Sequence, residues 1–116
     1  MSLTKLLKRN RLITMTFRSK HVADSRRFSI VQKDLTECYF CKGKPVEKHE
    51  IFYGTANRQK SKDHGMVVAL CHYHHEQVHK HPRKGYDEVL KIDGQMKFEE
   101  SHTRAEFMEI FGRTYL

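Results

Sequence analysis

Two short cysteine-bearing stretches carry the most specific chemistry in this chain. Cys38-Tyr39-Phe40-Cys41 is a C-x-x-C turn, and Cys71-His72-Tyr73-His74 is a C-x-x-H turn. A C-x-x-C turn presents two thiolates to one ion, and a second such turn supplies the other half of a tetrahedron. Cys38, Cys41, Cys71 and His74 therefore make a Cys3His set, a donor combination of closed structural zinc sites. His72 is the alternative to His74, at a tighter spacing than such a turn prefers. The set absorbs all three cysteines. An odd number cannot pair completely within one chain, which argues against a secreted disulfide scaffold and for a reducing compartment. A redox C-x-x-C would leave Cys71 and the histidines without a role, and no βαβ pattern surrounds it.

A second group of donors lies close by. Six of the nine histidines fall between His64 and His81. With His74 given to zinc, His75 and His79 remain at i, i+4, a spacing that puts both imidazoles on one helix face. His49-Glu50 lies on the strand that should pack beside that helix. Three nitrogen or oxygen ligands around a divalent cation leave positions open for water and a phosphate oxygen, which is the layout of a hydrolytic site. The plainer alternative is a helix whose histidines are solvated surface residues.

These groups must be held by a few short elements. Val46–Tyr53, bounded by Pro45 and Gly54, reads as a strand. Met66–Leu70, after Gly65, reads as a second and buried strand. Residues 28–37 suggest a short extended entry into the cysteine segment, and 55–62 an exposed polar loop without apolar periodicity. A short helix is expected from His72 to about His81, ended by Pro82. A helix-compatible pattern covers 86–100, weakened by Gly94. Thr103-Arg104-Ala105-Glu106 is a capping-box pattern, predicting a last helix from Arg104 to Phe111 with Gly112 as its stop. The order is strand, strand, helix, then two covering helices.

Charge divides the chain in two. Residues 1–27 hold eight basic residues, Lys8, Arg9 and Arg11 among them, against Asp24 alone, whereas 28–116 are nearly balanced. The first stretch is a basic N-terminal arm, either a short amphipathic helix or a partly disordered tail, of a kind that meets phosphate backbones. Arg58, Lys60 and Lys62 form a second basic cluster in the predicted loop. No apolar run approaches the roughly 18 residues of a membrane span. Leu6, Leu7, Leu12 and Ile13 are interrupted by Lys8, Arg9 and Arg11, which does not suit a secretory signal. At 116 residues with 38% hydrophobic content and no Trp, the core is small, and chains of this kind often need a metal staple. A small, basic, intracellular metal-binding domain is expected.

Cys38-x-x-Cys41, His49-Glu50-Ile51-Phe52-Tyr53-Gly54, Ala56-Asn57-Arg58, Leu70-Cys71-x-x-His74-His75 and Val78-His79 together resemble the HNH, or ββα-metal, endonucleases built on a treble-clef zinc finger. More narrowly, the stretch from about Arg27 to Leu116 is similar to small HNH-type proteins of bacteriophages and prophages, with a weaker likeness from His102 to Arg113. The resemblance implies an α+β, zinc-stapled ββα-metal finger (residues 28–116) with additional C-terminal helices. It implies a metal-dependent DNA endonuclease in the cytoplasm of a bacterial host, with no small-molecule cofactor and no membrane partner. Zn2+ would be structural, and a second divalent cation such as Mg2+, Mn2+, Ni2+ or Zn2+ catalytic. In the family's first strand a metal ligand is followed by a general-base histidine and an aliphatic residue. His49, Glu50 and Ile51 fall at those positions, and His75 and His79 at the two helix ligands. Glu50 thus replaces the base histidine. The family's asparagine, expected near the second strand, has Met66 in the nearest register, and Asn57 is the one stand-in. Glu50 as ligand and His49 as base is the alternative, because one register step exchanges their strand faces. Arg58, Lys60, Lys62 and the arm residues Lys8, Arg9 and Arg11 would grip phosphates. A catalytically weak or inactive zinc module that binds DNA or a protein is the second reading, because fold does not imply function.

Overall fold

The computed structural model describes residues 28–116, so the basic arm with Lys8, Arg9 and Arg11 lies outside the described residues. Among the described residues the architecture is a small mixed α/β arrangement of one two-stranded sheet and four helices. Strand β1 spans Glu47–Glu50, helix α1 Arg58–Asp63, strand β2 Val67–Leu70, helix α2 His72–Lys80, helix α3 Gly85–Phe98 and helix α4 Arg104–Phe111.

The two strands pair antiparallel, with His49 opposite Val68 and Glu50 opposite Val67. All four residues of β2 are buried, whereas β1 buries only His49. A strand enclosed on both sides needs a continuous apolar run, and Val67-Val68-Ala69-Leu70 supplies one. Tyr39 N–H donates to the Ala69 carbonyl at 2.8 Å, and Ala69 N–H donates to Gln32 Oε1 at 2.8 Å. The entry segment is therefore bound to the outer edge of β2 through one peptide and one glutamine, without forming a strand of its own. Gln32 completes this clamp by donating to the carbonyls of Asp34 and Glu37.

Ile51, Phe52, Met66, Val68, Leu70, Val78, Leu90, Phe98, Phe107 and Phe111 form the core. Phe52 is its hub, with ring centroids 4.5 Å from Phe111 and 5.4 Å from Phe107. Gly94 sits inside α3 where a Cβ would stand 3.4 Å from Phe52 Cε2 and 3.5 Å from Ile51 Cδ1. The glycine that weakened the helical pattern thus lets α3 lie close on the core. Gly65 is required for two reasons: its φ is +71°, and a Cβ would meet Phe28 Cε2 at 2.6 Å.

Helix α4 runs over the predicted residues. Thr103 Oγ1 accepts from Glu106 N–H, Glu106 Oε1 accepts from Thr103 N–H, and Gly112 closes the helix at φ +91°. Two expectations need correction. The regular part of β1 is Glu47–Glu50 and not Val46–Tyr53, because the chain leaves the sheet after Glu50 and Ile51 and Phe52 turn into the core. The polar segment predicted as a loop contains α1, a helix between the strands. Only Ser61 of α1 is buried, so its sequence carries no apolar stripe. Ser61 holds the helix in place by donating its hydroxyl to the Phe52 carbonyl at 2.6 Å and accepting Phe52 N–H at 3.0 Å.

Candidate metal centres

The C-x-x-C turn is built by backbone bonds before any ion is considered. Lys42 N–H donates to the Cys38 carbonyl and Cys38 N–H to the Gly43 carbonyl, with Lys42 at φ +64°. The second turn opens α2 directly after β2, with Cys71 as its N-cap residue. Because the first turn is bonded to Ala69, two residues before Cys71, the four donors meet. Cys38, Cys41, Cys71 and His74 present ligand atoms all within 4.8 Å of one another.

The spacing within this set is that of a tetrahedral site. Two sulfurs each about 2.3 Å from one tetrahedral zinc ion stand about 3.8 Å apart, and a sulfur and a nitrogen about 3.5 Å. Cys41 Sγ and Cys71 Sγ are 3.8 Å apart, and His74 Nδ1 lies 3.5 Å from Cys38 Sγ and 3.3 Å from Cys71 Sγ. The three thiols are free, and a 3.8 Å separation is far from a disulfide's roughly 2.05 Å. Burial opposes ionisation of Cys38, yet backbone N–H groups of Cys71, Cys41 and Phe40 aimed at its sulfur outweigh it and bring the thiol down to about 6. A Cys3His group that can hold an ion such as zinc is therefore present. His72, the alternative ligand, points elsewhere: its Nδ1 is 3.3 Å from Glu47 Oε2 and its side chain is 80% exposed.

A second set of donors lies on the other side of α2. His49 from β1 and His75 and His79 from α2 also bring ligand nitrogens within 4.8 Å of one another. Their ring centroids are 4.8 to 5.4 Å apart. His49 is buried, and its Nε2 has no hydrogen-bond partner, the one such buried side-chain polar atom among the described residues. A buried nitrogen without a partner is costly, and a cation held among the three rings would satisfy it. Burial, then the neighbouring His75, His79 and Lys91, drives the His49 imidazolium down to about 3, and burial and His75 also lower His79. A neutral imidazole is the form that binds metal. The geometry of this set, and the neutral form favoured at His49 and His79, suit a cation.

Glu47 was not legible as part of this group. It stands two residues before His49, on the same face of β1. Its Oε1 accepts from His75 Nδ1 at 2.6 Å, and its Oε2 lies 3.3 Å from His72 Nδ1. These bonds hold the Glu47 carboxyl below the usual carboxylate range. A carboxylate on one ring nitrogen fixes the tautomer and leaves the other for a metal.

Glu50 is not among the three grouped donors, and His49 is. Glu50 instead lines the same hollow, of about 220 Å³, together with Tyr53, Arg58 and the three histidines. Its Oε1 is 3.8 Å from Arg58 Nε. Asn57 lies apart, as the residue before α1 and in the wall of a neighbouring cavity. Lys60 and Lys62 do not line the hollow with Arg58. Arg58 and Lys62 share a face of α1 at i, i+4, while Lys60 at i+2 does not.

Behind the hollow is a buried ionic group. Asp87 accepts from Lys91 Nζ at 2.8 Å, from Tyr53 hydroxyl at 2.9 Å and from Arg83 N–H at 2.6 Å. Lys91 also donates to the Ile51 carbonyl and lies 4.0 Å from the Tyr53 ring centre. Burial and the Asp87 carboxylate push the Tyr53 phenol up to about 12. This group ties α3 to the segment after β1 and so fixes one wall of the histidine hollow.

No family model, no curated protein and no solved structure matches this chain significantly. No helix among the described residues is long and apolar enough to cross a membrane.

Proposed function

We propose that this chain is a metal-dependent endonuclease of the HNH type that hydrolyses phosphodiester bonds in DNA. The order β1, β2, α2, with the Cys3His set joining the start of the chain segment to the start of α2, supports a treble-clef, ββα-metal reading. The observation that carries the activity is the convergence of His49, His75 and His79 around a buried, unpartnered imidazole nitrogen. His49, His75 and His79 would hold a divalent cation, which would supply charge beside a phosphate oxygen and lower the pKa of water there. Three protein donors leave room for water and substrate, unlike the four-donor cysteine set.

The chain's own residues divide the remaining work. Glu47 holds His75 in one tautomer. Glu50, in the wall of the hollow, is placed to take a proton from the attacking water. Arg58, exposed at its mouth, offers a guanidinium to the phosphate that arrives there. Arg58 and Glu50 pair with each other when no strand is bound, and a phosphate would compete for the arginine and release the carboxylate.

Plasmid nicking with Mg2+, Mn2+ or Ni2+ tests this reading. Cleavage should disappear in His75→Ala and His79→Ala while DNA binding persists. Binding without cleavage under every cation would favour the second reading, a zinc module that binds without cutting. The ion pair that engages Glu50 is the observation on its side.

A further inference from the structure

The hollow that holds the three histidines does not end at Tyr53. Tyr53 also lines a neighbouring cavity of about 270 Å³, with Asn57, Arg83, Lys91, Arg113 and Tyr115 around it. Its ring centre is 5.9 Å from that of His79 on one side, and Lys91 Nζ lies 4.0 Å from it. The two hollows are thus separated by one aromatic ring.

The charge in this second cavity is one-signed. None of its lining residues is acidic. Lys91 is neutralised by Asp87, but neither Arg83 nor Arg113 is in an ion pair among the described residues. Asp87 accepts the backbone N–H of Arg83, whose φ of +63° is rare for a residue with a side chain. The Arg113 guanidinium lies 4.9 Å from the Tyr115 ring centre. Tyr115 is anchored in turn, its N–H donated to Gln95 Oε1 at 2.7 Å. Of the two carboxylates nearby, Glu88 lines the outer hollow that Arg83 and Arg113 also border and not the inner one, and Asp87, bonded to Lys91 and Tyr53, lines neither.

Two arginines lining one cavity, in no ion pair among the described residues, are a site for an oxyanion, because arginine binds phosphate bidentately. The geometry points to a phosphate subsite: Arg83 and Arg113 bind a phosphodiester of the same DNA strand whose neighbouring phosphate lies at the three histidines. This inference rests on the endonuclease reading and deepens it. It extends strand binding from Arg58 to Arg83 and Arg113, which flank the start of α3 and the end of α4. It also gives Asn57, which lines this cavity, a place beside the strand and not beside the cation.

The test is binding of a fluorescent single-stranded DNA to the zinc-loaded full chain, over a series of salt concentrations, with no Mg2+, Mn2+ or Ni2+ added. Each phosphate neutralised on a single strand contributes about 0.7 to the slope of log affinity against log salt. The double variant Arg83→Ala/Arg113→Ala should bind several-fold more weakly, with a slope shallower by about 0.7. In cleavage assays its KM should rise while kcat stays near that of the parent. Arg83→Lys/Arg113→Lys, which keeps both charges, should retain the slope and serves if the alanine variant loses its circular dichroism. An unchanged slope in a folded alanine variant, or a lost slope in the lysine variant without loss of fold, overturns the subsite. Inorganic phosphate is the control for source: if it binds as tightly as the oligonucleotide and through the same arginines, the cavity is a free-phosphate site and the strand assignment fails. A parent that binds and cuts DNA beside an unaffected double variant refutes only the subsite, whereas a parent that binds no DNA refutes both readings.

Discussion

Glu47 Oε1 and His75 Nδ1 are 2.6 Å apart, across the gap between β1 and α2. A carboxylate can only accept, so the proton that His75 gives it is on Nδ1, and in a neutral ring the lone pair is then on Nε2. The same strand carries His49 two residues on, so one β-strand face supplies both a donor and the group that orients another donor.

Removing that carboxylate should weaken the histidine site without emptying the cysteine site. Outer-shell partners of metal-binding histidines are typically worth about 10–100-fold in affinity. Glu47→Ala should lose about that much in Ni2+ affinity by calorimetry, with the zinc content unchanged. Equal affinity in the variant would show that Glu47 does not position His75.

The cysteine set is expected to be a staple. Metal analysis should return one tightly held zinc per chain that disappears in Cys38→Ser. A structural site contributes its binding energy to folding. Chelation should therefore abolish cooperative thermal unfolding of the parent, and a chelated chain that unfolds at the same temperature would contradict this role.

Asp87 and Lys91 form a buried ion pair, with side chains 0% and 7% exposed. Taking away one partner leaves an uncompensated charge, which costs about 3–5 kcal/mol. Asp87→Ala should lose stability of that order in urea unfolding, and Asp87→Ala/Lys91→Met should recover much of it. A double variant no better than the single one would mean that the lost Tyr53 and Arg83 contacts dominate.

His64 gives a pH dependence of known sign. Its ring lies 6.2 Å from that of Phe98 and 6.1 Å from that of Phe111, and burial lowers its pKa. The unfolded chain, titrating at about 6.5, then binds more protons than the folded one as pH falls. Stability is full above about pH 6.5 and declines below it, toward the depressed folded value. Melting temperatures across this range should fall less steeply in His64→Gln than in the parent, and identical slopes would remove His64 as a cause.

What was legible in the sequence was local. The two cysteine turns and the capping box at Thr103 are fixed by spacings of three residues, and the structure closes both at those residues. His75 and His79 are readable for the same reason, since one helical turn brings them together. Glu47 was hidden because an exposed acidic residue on a strand has no signal until its partner strand and helix are placed. The helix α1 was hidden because its single buried residue, Ser61, is polar and bonds to Phe52 nine residues earlier. Arg83 and Arg113 are 30 residues apart and share a cavity only because Gln95 draws the segment after α4 back along α3, through Thr114 and Tyr115.

The central claim is an open cation site made of three imidazoles. Anomalous diffraction from crystals soaked in Ni2+ or Mn2+ tests it most directly. A peak is expected about 2.0–2.3 Å from nitrogens of His49, His75 and His79, with coordination positions facing Glu50 and Arg58 filled by water alone. A peak confined to Cys38, Cys41, Cys71 and His74, with the three histidines bare at saturating cation, would contradict it.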